Sequence, residues 1–126
     1  MKTALLFFAL LFQQMNAQVI SDNPGPEVTD AYFAGGAVKL GNYISQNIRY
    51  PENAAFRHVE GVVAVTFTID TSGVIRNAQV RRGIGNGCDE EALRLVNNMP
   101  KWTPAMLNGK PVASGCTLHI DFRMPR

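Results

Sequence analysis

The sequence is poor in the residues that most often carry chemistry, with two Cys, two His and one Trp among 126 residues. Two Cys permit at most one intramolecular disulfide, and Cys88, Cys116, His58 and His119 lack the short paired spacing of a zinc site. No nucleophile signature surrounds either Cys, so neither a thiol enzyme nor a small-molecule substrate or cofactor is expected. An excess of charge is also missing: 12 Lys and Arg face 10 Asp and Glu, and Arg81–Arg82 is the sole adjacent basic pair. That balance excludes the clustered positive face of a nucleic-acid binder, and the pair reads as a solvated strand end. Long apolar runs are absent too. The longest, Ala4 to Phe12, falls short of the about 20 residues that a spanning helix needs.

What the amino terminus does have is Lys2, that apolar run, and then a polar stretch from Gln13 ending in Ala17. This is the layout of a secretory signal peptide over residues 1–17, cleaved after Ala17, and it predicts export and release. Residues 18–33 contain Pro24, Gly25 and Pro26 among polar residues and show no periodicity, so a flexible leader is expected there. The remaining residues, 34–126, suit one compact domain.

Leu40, Tyr43, Ile44 and Ile48 fall at helical spacing before Pro51, which opens a short turn through Ala54 and Ala55. The period then changes. Val63, Val65, Phe67 and Ile69 alternate with Val62, Ala64, Thr66 and Thr68, giving the strongest strand; Asp70 to Gly73 turns the chain, and Val74 to Arg82 returns it as a hairpin. Asp89, Glu90 and Glu91 announce a second helix, with Ala92, Leu95, Val96 and Met99 as its apolar face and Pro100 as its stop. A loop containing Trp102, Pro104, Gly109 and Pro111 leads to a last strand in which Cys116, Leu118, Ile120 and Phe122 alternate with Thr117, His119, Asp121 and Arg123. The order predicts an α+β fold, a three-stranded antiparallel or mixed sheet with two helices on one face. The first strand lies in the centre and the last on an edge. This topology sets Cys88 and Cys116 at opposite ends of the last strand, about 20 Å apart at about 3.3 Å per residue, beyond the roughly 7 Å a disulfide spans between α-carbons. Two free thiols are expected, Cys116 in the core and Cys88 where the helix starts. Gly83, Gly85 and Gly87 lie between strand and helix, but three acids follow where a phosphate loop needs neutral or basic residues, so a turn is the better reading.

Several motifs in order resemble a known family: Tyr50-Pro51 before Ala54-Ala55, Gly61-Val62-Val63 with Phe67, Asp70 and Gly73, then Arg82-Gly83-Ile84-Gly85 and Gly87-Cys88-Asp89-Glu90-Glu91-Ala92-Leu93. Met99-Pro100-Lys101-Trp102-Thr103-Pro104-Ala105 and Asn108-Gly109-Lys110-Pro111-Val112 continue the series. Together, over residues 34–124, they look like the TonB C-terminal domain in the version common in Bacteroidetes-type energy transducers. The resemblance implies a non-catalytic periplasmic module that grips the TonB box, an extended peptide of an outer-membrane transporter, by adding it beside the last strand. Carried onto this sequence, the partner-binding residues are Thr117, His119, Asp121 and Arg123, with Tyr50 and Pro51 in a structural or accessory role. The membrane anchor and Pro-rich spacer of full transducers have no counterpart in the pattern, which implies binding without energy transduction; the alternative is that the apolar run is an uncleaved, short inner-membrane anchor. A scaffolding domain with another periplasmic partner is the second functional expectation, and edge strands also permit a homodimer.

Overall fold

In the computed structural model, which describes residues 25–125, the chain order is β1 (Val28–Thr29), α1 (Gly36–Asn47), α2 (Glu52–Phe56), β2 (Gly61–Ile69), β3 (Ile75–Arg82), α3 (Cys88–Asn97), β4 (Ala105–Leu107), β5 (Lys110–Val112) and β6 (Ser114–Phe122). The expected signal peptide lies outside the described residues. Among the described residues no helix is long and apolar enough to cross a membrane.

The main sheet has the order β3-β2-β6, and both neighbours of β2 are antiparallel to it. β3 and β6 therefore run parallel to each other and are joined through α3, as the strand-helix-strand crossover requires. Val63, Val65, Phe67 and Ile69 of β2 and Ile120 and Phe122 of β6 form one buried layer. Against them pack Ala54 of α2, and Cys88, Ala92, Leu95 and Val96 of α3, with Leu40, Tyr43 and Ile44 of α1 part-buried at the margin. The fold is the α+β arrangement predicted, with α2 as a third, five-residue helix.

Local chemistry explains the turns. At the β2–β3 turn Asp70 Oδ1 accepts from the amides of Ser72 and Val74 at 2.8 and 2.9 Å, and Arg76 Nε donates to Oδ2 at 2.7 Å. Gly73 follows at φ 86°, and a Cβ there would sit 2.0 Å from the Trp102 carbonyl oxygen, so the tight approach of the two segments demands glycine. α3 opens with Asp89, Glu90 and Glu91 in its first turn and has Arg94 in its last, both suited to the helix dipole.

Two features depart from the sequence reading. The segment read as a loop contains a hairpin, β4–β5, closed by Asn108 and Gly109 at φ 51° and 79°, the positive pair a two-residue turn needs. Its flanks are three residues each and carry Pro111, too short and too Pro-rich to give an alternating signal. The second departure is at the amino-terminal side. Val28 and Thr29 pair with Leu107 and Met106, Tyr32 and Thr103 exchange backbone hydrogen bonds at 3.0 and 2.8 Å, and Phe33 is buried. The fold thus takes in residues 28–33 of the expected leader, because the β4 edge and an aromatic pocket supply partners that no local pattern announces. Phe33 meets Trp102 edge-on at 5.7 Å, Trp102 meets Phe67 at 5.6 Å, and Tyr43 lies 5.9 Å from Phe33.

Candidate partner-binding edge

β6 is built for regularity. It keeps register with β2 over nine consecutive pairs, Gly61↔Phe122 through Ile69↔Ser114, without a shift. On its other side it has no strand partner among the described residues. Thr117, His119 and Asp121 of β6 are exposed on the face opposite the core, and exposed Arg123 follows the strand. Arg123 Nε meets Asp121 Oδ1 at 2.9 Å, and its Nη1 lies 4.0 Å from Glu60 Oε1. The Met124 amide donates to Glu60 Oε2 at 2.7 Å, which ties the end of β6 to the start of β2. The structure brings four of the six predicted binding residues into one row.

The other outer edge, β3, differs. Its register with β2 slips twice, between Ala64 and Val65 and between Thr66 and Thr68, and Asn77 within it has φ 57°. Bulges of this kind twist an edge away from further pairing. In the small β1-β4-β5 sheet the outer strands span two and three residues, and β5 contains Pro111, which lacks an amide donor. β6 is the long, unbroken edge that remains.

Tyr50 and Pro51 lie elsewhere. The Tyr50 hydroxyl donates to the Val59 carbonyl, and its ring stands edge-on to Phe122 at 6.0 Å, so Tyr50 braces the end of β6 from the core side. Pro51 occupies the position before α2 with φ −63°, and its carbonyl accepts from the Ala55 amide at 2.9 Å. Both are part-buried.

Three polar anchors escaped the sequence reading. Glu91, read there as one of three acids that open α3, is 8% exposed. Its Oε2 accepts from the Arg49 amide at 2.6 Å, and Arg94 grips both carboxylate oxygens at 2.7 Å. Burial alone would raise its pKa, but the Arg94 hydrogen bonds and the Arg49 amide hold it below the usual carboxylate value. Arg94 also donates to the Asn47 carbonyl at 2.8 Å, and the Tyr43 hydroxyl donates to the Leu95 carbonyl at 2.8 Å, so the end of α1 is pinned to α3. Asp89 explains the glycine loop: its Oδ1 accepts from the Ile84 and Gly85 amides at 2.8 and 3.2 Å, and a Cβ on Gly83 would lie 2.2 Å from its Oδ2. The loop does cradle an anion, but the anion is the chain's own carboxylate. The third anchor is Asp70, described above.

Both cysteines are free: Cys88 opens α3 as expected but is wholly buried in the core, and Cys116 is part-buried against the core. Burial raises both thiol pKa values, and the charges of Asp89, Glu90 and Glu91 raise that of Cys88 further. Among the described residues no group of three or more His, Cys, Asp or Glu is placed to hold a metal ion.

The profile of the family described as Gram-negative bacterial TonB protein C-terminal matches residues 46–124. The chain is 39% identical over 84 residues to "Protein TonB" of Pasteurella multocida (strain Pm70), a match that takes in 66% of this chain and 31% of that protein. It thus spans about a third of the relative's length. Two solution structures of the Helicobacter pylori TonB C-terminal domain share its fold. One has a TM-score of 0.53 at 23% identity, covering 71% of this chain and 80% of the other. The second has 0.52 at 24%, covering 68% and 89%. From β2 through β6 the match runs over the central strand, α3 and the regular edge alike, and on that basis the chain belongs to the TonB C-terminal family.

Proposed function

We propose that this chain is a periplasmic partner-binding module of outer-membrane transport, which takes an extended peptide such as a transporter's TonB box beside β6. The observation that carries this reading is the contrast of edges: β6 offers nine residues in unbroken register, while β3 is bulged. An incoming strand satisfies main-chain donors and acceptors that otherwise face only water, and alternate side chains meet Thr117, His119 and Asp121. Tyr50 and Pro51 act as supports: Tyr50 holds Phe122, and Pro51 starts α2. Export through cleavage after Ala17 completes the reading, and mass spectrometry of the mature amino terminus tests that part.

Titration of the isotope-labelled protein with a synthetic TonB-box peptide tests the edge. Saturable shifts concentrated in the amides of residues 114–123 are expected. Methylation of alternate peptide nitrogens should abolish them in one phase and spare them in the other, because only one set of ligand amides faces β6. Shifts confined to another surface, or indifference to both methylated series, would sink the reading. A scaffolding role with a non-transporter partner is the second reading, favoured by the apolar Phe56 of α2, which is 85% exposed. Such a partner would perturb residues 52–58 and leave β6 silent.

A further inference from the structure

The outer face of the main sheet, opposite the helices, contains a concavity of about 480 Å³ lined by Val62, Ala64, Arg81, Arg82, Thr117 and His119. Its shape follows from register. Ala64 pairs with Arg82 on one side and His119 on the other, so a methyl group lies between two long basic or imidazole-bearing side chains in a single row across the sheet. The row beside it is Gln79, Thr66 and Thr117, polar throughout. Ala64 is itself only 7% exposed although it belongs to none of the core layer, because its taller neighbours wall it in.

The charge at this place is unmatched. Arg81 and Arg82 are exposed, and neither guanidinium meets a carboxylate among the described residues. The nearest acid along the outer face of β6, Asp121, is occupied by Arg123 at 2.9 Å. Two other arginines do meet carboxylates, Arg76 with Asp70 and Arg94 with Glu91, each at 2.7 Å. A concave surface walled by cations on one side attracts an anion more strongly than a flat one, and guanidinium forks suit carboxylates in particular.

We infer that this concavity is a binding site for carboxylate side chains of an acidic peptide segment lying across the outer face of the sheet, with Arg82 and Arg81 as the charge partners and Thr117 and His119 as polar neighbours. Charge complementarity selects the peptide over an anionic membrane. A lipid surface needs a broad basic face or an apolar rim to insert, whereas the lining contributes two guanidinium groups from β3, with the apolar Val62 and Ala64 of β2 beside them as a floor. The site adjoins the free side of β6 and shares the Thr117 and His119 side chains with strand addition, but its charge partners, Arg81 and Arg82, belong to β3. A partner presenting an extended strand with acids in its flanking sequence could engage both, but neither requires the other.

The test uses the isotope-labelled full chain and two blocked tetrapeptides, Gly-Glu-Glu-Gly and Gly-Gln-Gln-Gly, both too short to pair along β6. The glutamate peptide is expected to shift the amides of Ala64, Arg82 and His119 saturably, the glutamine peptide not. Affinity should fall about fivefold between 20 mM and 300 mM salt and about fivefold in Arg81→Gln/Arg82→Gln. Both arginines are exposed, so that variant keeps its fold, and an unchanged spectrum away from the sheet face verifies it. Equal shifts with both peptides, no shift at Ala64, or undiminished binding by the double variant would overturn the inference. So would binding to phosphatidylglycerol vesicles without binding to the glutamate peptide. Loss of TonB-box binding at β6 with the glutamate effect intact would instead overturn strand addition alone.

Discussion

Glu91 shows at the level of one residue how much a carboxylate's surroundings decide. Its neighbours Asp89 and Glu90 share its local sequence, yet Glu91 alone turns inward to close α3 against the end of α1 through Arg94 and the Arg49 amide. Glu91→Gln is expected to lower unfolding free energy by about 2 kcal/mol, the scale of a charged hydrogen-bond network losing its charge, as read from urea denaturation. Asp70 is also held below the usual carboxylate value, first by the Val74 amide and then by Arg76. Both groups have folded pKa values depressed below their unfolded ones, so their stabilisation is complete above the ordinary value of about 4.3 and disappears as pH falls through the folded values. The denaturation midpoint should hold steady from pH 7 to about 5 and drop below about 4. That acid-side drop should be shallower in Glu91→Gln; an unchanged slope would show that Glu91 is not a principal contributor. Gly73→Ala meets the Trp102 carbonyl and a strained φ together, and a loss of more than about 2 kcal/mol is expected in the same assay. The thiols follow from burial: with native protein a thiol reagent should modify Cys116 slowly and Cys88 only on unfolding, as followed by mass spectrometry.

Among the elements, β1 and the segment after it extend the domain towards the amino terminus. Two short β1 pairs bring little stability, but Phe33 carries an aromatic ring into the pocket made by Trp102 and Tyr43. Truncation to start at residue 30, which removes β1, should leave the melting temperature almost unchanged. Phe33→Ala should cost about 3 to 5 kcal/mol, the usual cost of deleting a buried aromatic side chain. If both changes are equally mild, the aromatic pocket is not a structural centre. The strands of the main sheet and the helices were legible from their periods. Val63 to Ile69 alternate because β2 buries one face, and Leu40, Tyr43 and Ile44 repeat because α1 lays one side on the core. The β4–β5 hairpin was not legible as an element, although Asn108-Gly109 marks its turn, since three-residue flanks hold no measurable alternation.

For the whole molecule, two surfaces on one sheet are proposed as partner sites: the main-chain edge of β6 and the cationic concavity beside it. An open edge also permits self-pairing of copies. Sedimentation at rising concentration, with and without a β6-binding peptide, measures that: a dimer formed through β6 should dissociate when the peptide is added, and one insensitive to peptide lies on another surface. The sequence by itself determined the order of the main-sheet strands and the helices, the α+β class, the central place of β2 and the row Thr117, His119, Asp121, Arg123, because alternation and helical spacing are local records of which face is buried. Only the tertiary structure decided that β3 is bulged while β6 is regular, that Phe33 belongs to the core, that Asp89 fills its own glycine loop, and that Arg82 and His119 flank Ala64. These depend on register and on contacts between residues far apart in the chain, and neither leaves a periodic trace in the order of amino acids.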